Sequence, residues 1–345
     1  MSHPSGSLLT LDRRSFLRLG ALGAGALALG ATPFALVGCA AGEGGAGARV
    51  PFNTKLGWIP DVAYSGLFIA KEDGLFEKAG LDVNIEPGGP NSPVVPLVST
   101  GRLDVGIESI PENVAAAVND GAKLRIVGAG LRKSPECWIS RADNPIREPK
   151  DIEGKKLGST LSGQNLMIEF MKRNGVAVDK VTLVPTQFDP APLAVGEVDA
   201  LLGFASNQPV VLGNQGVETV IMPTADYGLN RMQQVFFVTQ ETLDDEEKRE
   251  RARQFLLATR AGTEKMLADH EAAAQLTVDL YGRDLGLNVE DQLKNLDALA
   301  PFVAGDETTD LFLMSDDLIA QTLDSLELIG VKADASLFTN ELLES

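Results

Sequence analysis

The stretch Trp58-Ile59-Pro60-Asp61-Val62-Ala63-Tyr64-Ser65 gathers an indole, a carboxylate and a phenol just beyond a short apolar run. An indole offers a flat stacking face and an N–H donor, and a carboxylate accepts hydrogen bonds from ring amines or a cationic nitrogen. This combination suits non-covalent capture of a planar polar molecule. Trp58 also fits a second role, a half-buried aromatic plugging a core. Gly88-Gly89-Pro90-Asn91-Ser92-Pro93 is the next polar loop. Ser92 before Pro93 fits a helix N-cap, which leaves Asn91 and the glycine amides free to meet a solute. In Glu108-Ser109-Ile110-Pro111-Glu112, Ser109 and Glu112 have capping-box spacing, so Glu112 reads as structural. Glu108 ends a strand expected to be buried, where a carboxylate is costly unless something satisfies it.

Other chemistries are poorly supplied. The chain has two cysteines, Cys39 and Cys137, and two histidines, His3 and His270. With one His and one Cys beyond residue 39, neither a zinc cluster nor a Ser-His-Asp or Cys-His pair assembles easily. No metal and no cofactor are therefore expected, and Cys137 should be a buried apolar side chain. The formal net charge of −18 repels phosphate backbones and anionic headgroups, which argues against nucleic acid partners.

The N-terminus reads as an address. Arg13-Arg14 with Phe16 precedes an uncharged Ala/Gly/Leu stretch over residues 20–38, the pattern of a twin-arginine export signal. About 20 apolar residues could also span a bilayer, but this stretch is glycine-rich and weakly hydrophobic. It ends in Leu36-Val37-Gly38-Cys39, which resembles a bacterial lipobox and makes Cys39 the expected lipidation site. Residues 1–38 are then a signal peptide and 39–50 a flexible Gly/Ala/Glu tether. Several acyl chains would give a lasting membrane anchor.

Beyond residue 51 the chain alternates short apolar runs with helical patterns, the mark of an α/β fold. Strands are expected near 54–58, 81–86, 105–108 and 124–128, with helices over 65–79, 93–100 and 111–120. A second series follows, with strands near 155–159, 181–184 and 200–204 and a helix over 163–174. Gly101-Arg102-Leu103-Asp104-Val105 and Gly196-Glu197-Val198-Asp199-Ala200 share a pattern. Alone it is common turn chemistry; within two α/β series it supports two similar lobes. After a strand over 235–239 the pattern is helical, over 242–279, 288–302 and 315–329.

Leu56-Gly57-Trp58-Ile59-Pro60, Gly66-Leu67-Phe68-Ile69-Ala70, Gly74-Leu75-Phe76, Gly80-Leu81-Asp82-Val83, Asp151-Ile152-Glu153-Gly154-Lys155-Lys156-Leu157-Gly158 and the two Gly-x-x-Asp segments occur in an order that resembles the type II periplasmic substrate-binding proteins of ABC importers, in particular the thiamine-pyrimidine, sulfonate and riboflavin type. The resemblance runs from about residue 55 to 302. It implies a two-lobed α/β fold, each lobe a mixed sheet flanked by helices, with domain I over 51–138 and 238–345 and domain II over 139–237. Two crossover strands, near 138–140 and 235–238, would form the hinge.

The resemblance also implies a ligand in the interdomain cleft. Trp58, Asp61, Tyr64, Asn91 and Glu108 would face it from domain I. Domain II would add Ser162 and Gln164 at a helix N-terminus, Phe204 and Asn207 after a strand, and Tyr227 from a loop. Phe204 and Tyr227 could close an aromatic sandwich, though Phe204 equally fits core packing. Asp61 and Glu108 disfavour nitrate or sulfonate by like-charge repulsion and suit a neutral or cationic heterocycle such as an aminopyrimidine; sulfonate, nitrate, riboflavin and aromatic acids are the alternative ligands within transport. The function implied is that of an extracytoplasmic, lipid-anchored, monomeric receptor that delivers a small molecule to a permease and ATPase and is not itself an enzyme. Two alternatives use the same fold: an enzyme of the thiamine-pyrimidine synthase type, and a ligand-sensing receptor.

Overall fold

Among the described residues ten strands form two five-stranded sheets. The computed structural model describes residues 49–344 except 91, 162, 188 and 306–309. The expected leader, Cys39, most of the tether, Asn91 and Ser162 lie outside the described residues.

In the first sheet the order is β2-β1-β3-β10-β4. β1 (Val50–Lys55) lies parallel to β2 (Leu81–Glu86) and β3 (Val105–Glu108). β10 (Gln233–Thr239) runs antiparallel to β3 on one side and to β4 (Leu124–Leu131) on the other. The second sheet has the order β7-β6-β8-β5-β9, made of β5 (Glu136–Arg141), β6 (Lys156–Ser159), β7 (Thr182–Pro185), β8 (Ala200–Phe204) and β9 (Thr219–Pro223). Here too one strand opposes the rest: β6 is parallel to β7 and β8, and β5 runs antiparallel to both its neighbours, β8 and β9. The result is a two-lobed α/β protein with a mixed sheet flanked by helices in each lobe.

The repeated Gly-x-x-Asp segments have the same task in both lobes. The Asp104 main-chain N–H donates to Asn53 O at 2.9 Å, and Asp104 Oδ2 accepts from Asn53 N at 2.7 Å. Asp199 repeats this on Lys156, at 2.8 Å for both bonds. Each aspartate thus staples the entrance of a buried strand to the neighbouring strand, consistent with pairing every backbone group that leaves water.

The helix Ser65–Glu72 follows β1 and packs on Glu246–Ala268, whose buried face includes Ala252, Phe255, Leu256, Thr259, Gly262 and Met266. The two helices touch through glycine. A Cβ at Gly262 would stand 2.0 Å from the Gly66 carbonyl oxygen, so the approach requires a residue without one. Phe52, Phe76 and Phe255 stack in the core beneath. The second lobe has its own core around Trp138, Phe170 and Leu157, and a smaller cluster around Cys137 and Leu201 that includes Phe302 from the C-terminal helix Val289–Ala304. Cys137 is free and fully buried, and burial pushes its thiol pKa well up.

β5 lies between β8 and β9, and β10 between β3 and β4. Residues 132–135 lead from the first sheet into the second, and residues 224–232 lead back. Two helical expectations are corrected. The helical pattern over 65–79 is broken by Gly74, in the left-handed region at φ +66°, into Ser65–Glu72 and Leu75–Lys78. The long pattern over 242–279 breaks at Asp269, which caps the helix His270–Thr277 by accepting from Ala272 N.

Candidate functional site

A cavity of about 670 Å³ opens between the lobes, within the size range of small-molecule sites. The loops after β1, β2 and β3 supply Trp58, Asp61, Tyr64, Gly89, Ser92, Glu108, Ser109 and Asn113; the start of β10 supplies Gln233 and Gln234; the second lobe supplies Phe204, Ser206, Asn207 and Gln208 after β8.

Asp61 is set by local turn chemistry. Its Oδ1 accepts from Ala63 N at 3.0 Å and caps the short helix Val62–Tyr64. Behind the loop, Gln292 Oε1 accepts from Val62 N at 2.9 Å, a buried contact that fixes the loop to the helix Val289–Ala304. Burial pushes the Asp61 pKa up to about 6, with the Ala63 N–H opposing the rise. Tyr64 is buried. Burial, then Asp61 and Glu108, raise its pKa above the usual phenol range.

Glu108 ends β3 and is 7% exposed. Its Oε2 accepts from Asn113 Nδ2 at 2.9 Å, one turn into the helix Pro111–Asn119. Burial raises its pKa, partly offset by Asn113 and by the Ser109 N–H. Two carboxylates therefore sit in the cavity wall, and among the described residues that line it there is no lysine, arginine or histidine.

Of the candidates read from sequence, Trp58, Asp61, Tyr64, Glu108, Phe204 and Asn207 line the cavity. Trp58 also packs against the first-lobe core, so its two readings are compatible. Gln164 and Tyr227 are not among the lining residues. Tyr227 packs against the second-lobe core and its hydroxyl donates to Arg147 O at 3.0 Å, which commits both its apolar and its polar ends. Gln164 sits in the first turn of Gly163–Arg173, after β6, whereas the second lobe reaches the cavity through the loop after β8.

The capping assignments also differ. The helix Pro111–Asn119 has Ile110 at its N-cap, and Val95–Ser99 has Val94 there, each without a side-chain cap. Ser109 instead lines the cavity, and Glu112 Oε1 lies 2.8 Å from Arg231 Nε. Sequence reasoning missed Ser109, Asn113, Gln208, Gln233 and Gln234 as cavity residues. The one usable signal was the polar pair Gln233-Gln234 directly before an apolar strand.

Among the described residues no group of three or more His, Cys, Asp or Glu is placed to hold a metal ion, and no helix is long and apolar enough to cross a membrane.

Residues 62–273 match the model of the family described as NMT1/THI5 like. The 4-amino-5-hydroxymethyl-2-methylpyrimidine phosphate synthase of Schizosaccharomyces pombe is 27% identical over 167 residues, 48% of this chain and 47% of that protein. The formylaminopyrimidine-binding protein of Halalkalibacterium halodurans is 24% identical over 200 residues, 56% of this chain and 60% of that protein. The chain thus spans between about half and three fifths of these relatives. Among solved structures, the periplasmic aliphatic sulphonate binding protein SsuA from Escherichia coli superposes with a TM-score of 0.63 at 17% identity, covering 81% of this chain and 86% of that one. At that identity the likeness shows the fold, the two-lobed periplasmic-binding-protein architecture.

Proposed function

From the premise that this chain belongs to the NMT1/THI5-like family, we propose that it is the extracytoplasmic solute receptor of an ABC importer, with an aminopyrimidine related to thiamine precursors as its ligand. The observation that carries the ligand reading is the charge of the cavity: among the described residues, Asp61 and Glu108 are in its wall and no cation lines it. A sulfonate or nitrate would meet like charge in a partly desolvated site, whereas ring amines offer hydrogen to both carboxylates. Trp58 and Phe204 supply apolar faces from opposite lobes, which suits a flat ring.

On this reading Trp58, Asp61, Tyr64 and Glu108 hold the ligand on the first lobe, and Phe204 and Asn207 close over it. The sequence features beyond the described residues complete the picture: twin-arginine export, a lipid on Cys39, and a tethered monomer that hands its cargo to a permease. Asn91, between the cavity residues Pro90 and Ser92 in sequence, is a further candidate contact, and Ser162 is one from its place at a helix N-terminus in the sequence.

The test is a thermal-shift panel. A ligand at about 100 times its Kd adds about 2.7 kcal/mol of stability. The expected responders are 4-amino-5-hydroxymethyl-2-methylpyrimidine and its formylamino analogue; a response confined to sulfonates or nitrate overturns the assignment. The Schizosaccharomyces pombe relative supports a second reading, pyrimidine synthesis on the same fold. Mass spectrometry of incubations to which no pyrimidine has been added separates the two, since a synthase accumulates new pyrimidine phosphate and a receptor makes none.

A further inference from the structure

We propose that Gln234 is a positioning residue that clasps two ligand loops of the first lobe together through a strained backbone; the inference rests on reading the interlobe cavity as the ligand site. Gln234 lies in β10 with φ +51°, a left-handed conformation that glycine adopts freely and other residues rarely do. Among the described residues only Phe312 shares this property without being glycine, and of the two Gln234 lines the interlobe cavity. Strain of this kind persists where the surroundings over-determine it, most often at functional sites.

The bonds that Gln234 makes explain what holds it. Its main-chain N–H donates to Ser109 O at 3.0 Å, in the loop after β3. Its side-chain Nε2 donates to Ala63 O at 2.8 Å, in the loop after β1. One residue therefore fixes the segment carrying Asp61 and Tyr64 to the segment carrying Glu108 and Ser109. The neighbouring strand makes room for the arrangement. A Cβ at Gly130 would lie 2.7 Å from Gln234 Oε1 and 3.0 Å from its main-chain oxygen, so a side chain at position 130 would displace the clasp. A glycine at position 234 would relieve the backbone but could not reach Ala63; an asparagine tolerates the conformation but is one methylene short.

The test uses the whole protein and two readouts. The first is amide hydrogen exchange of residues 61–65 and 108–110 without ligand, in wild type, Q234G, Q234N and G130A. The second is the Kd for 4-amino-5-hydroxymethyl-2-methylpyrimidine. In Q234G the melting temperature is expected at or above the wild-type value while exchange in both loops speeds up and the probe binds about tenfold more weakly, the loss of roughly one net hydrogen bond. Q234N and G130A should loosen the same two loops. Unchanged exchange in both loops of Q234G overturns the proposal, as does an even rise across β4 and β10 with a lowered melting temperature, which marks a residue of the fold alone. If the wild type does not bind the probe, the aminopyrimidine reading fails, and the exchange pattern still decides the clasp.

Discussion

Arg231 Nη2 donates to Glu136 Oε1 across 2.8 Å, with both side chains buried, and so joins the return connection between the lobes to the first residue of the second sheet. Its Nε stands 2.8 Å from Glu112 Oε1 on a first-lobe helix. A buried charge that loses its partner costs about 3–5 kcal/mol. R231A is therefore expected to lower unfolding stability by that order in urea titrations; a loss below about 1 kcal/mol would show that the triad is solvated in solution.

Asp61 gives a signed pH dependence. Its folded-state pKa lies near 6 against an ordinary 3.8, because burial penalises the charged form. The penalty on the native state is absent below the ordinary pKa, grows between the two values and is complete above the higher one. D61N should raise the melting temperature at neutral pH and leave it unchanged near pH ~4. The affinity of a permanently cationic ligand should rise as Asp61 ionises, and that rise should vanish in D61N. Equal melting shifts at both pH values would remove Asp61 as the cause.

Glu108 depends on Asn113 for its protein hydrogen bond from a side chain. N113A leaves a buried carboxylate short of a donor, which costs about 1–3 kcal/mol if nothing replaces it. Stability should fall more at pH ~8 than at pH ~5, because the bond serves the ionised form. N113D, which places a second acid there, should be worse; an N113D protein as stable as wild type would contradict the geometry.

Gly262 permits the contact on which the Asp61 loop rests, since the following helix Ser65–Glu72 packs there. G262A overpacks it, with an expected cost of about 1–3 kcal/mol and a weakened response to ligand. Circular dichroism melts and the same thermal-shift panel measure both effects. Full retention of ligand response would uncouple the helix from the site.

The chain has two tryptophans. Trp58 lines the cavity and Trp138 is wholly buried in the second lobe. A ligand-dependent change in intrinsic fluorescence is expected to come from Trp58 and to disappear in W58F. Its survival in W58F would place the ligand away from this wall.

Much of the fold was legible because local signals agreed with tertiary ones. Leu81–Glu86, Val105–Glu108 and Ala200–Phe204 fall where apolar runs bounded by turn residues predict. β9 carried no such signal: Ile221 within it is 40% exposed, as suits an edge strand. β10 begins at Gln233, two residues before its apolar run, because those glutamines answer to the cavity and to Ser109 rather than to strand propensity. The cavity wall was legible where a residue follows a strand in sequence, as with Trp58, Asp61 and Glu108. It was illegible where membership depends on which strands are neighbours, as with Ser109 and Gln234, and Tyr227 was misplaced because a loop aromatic fits a core as well as a cleft.

The position of β10 between β3 and β4 imposes an order of assembly on the nascent chain. All five strands of the second sheet are contiguous in sequence and can pair as soon as residue 223 has been made. The first sheet lacks its fourth strand until residue 239 follows. Until then β3 and β4 face each other across an open slot with unpaired edges, which makes the first-made half of the protein the last to close and its most aggregation-exposed stage during synthesis.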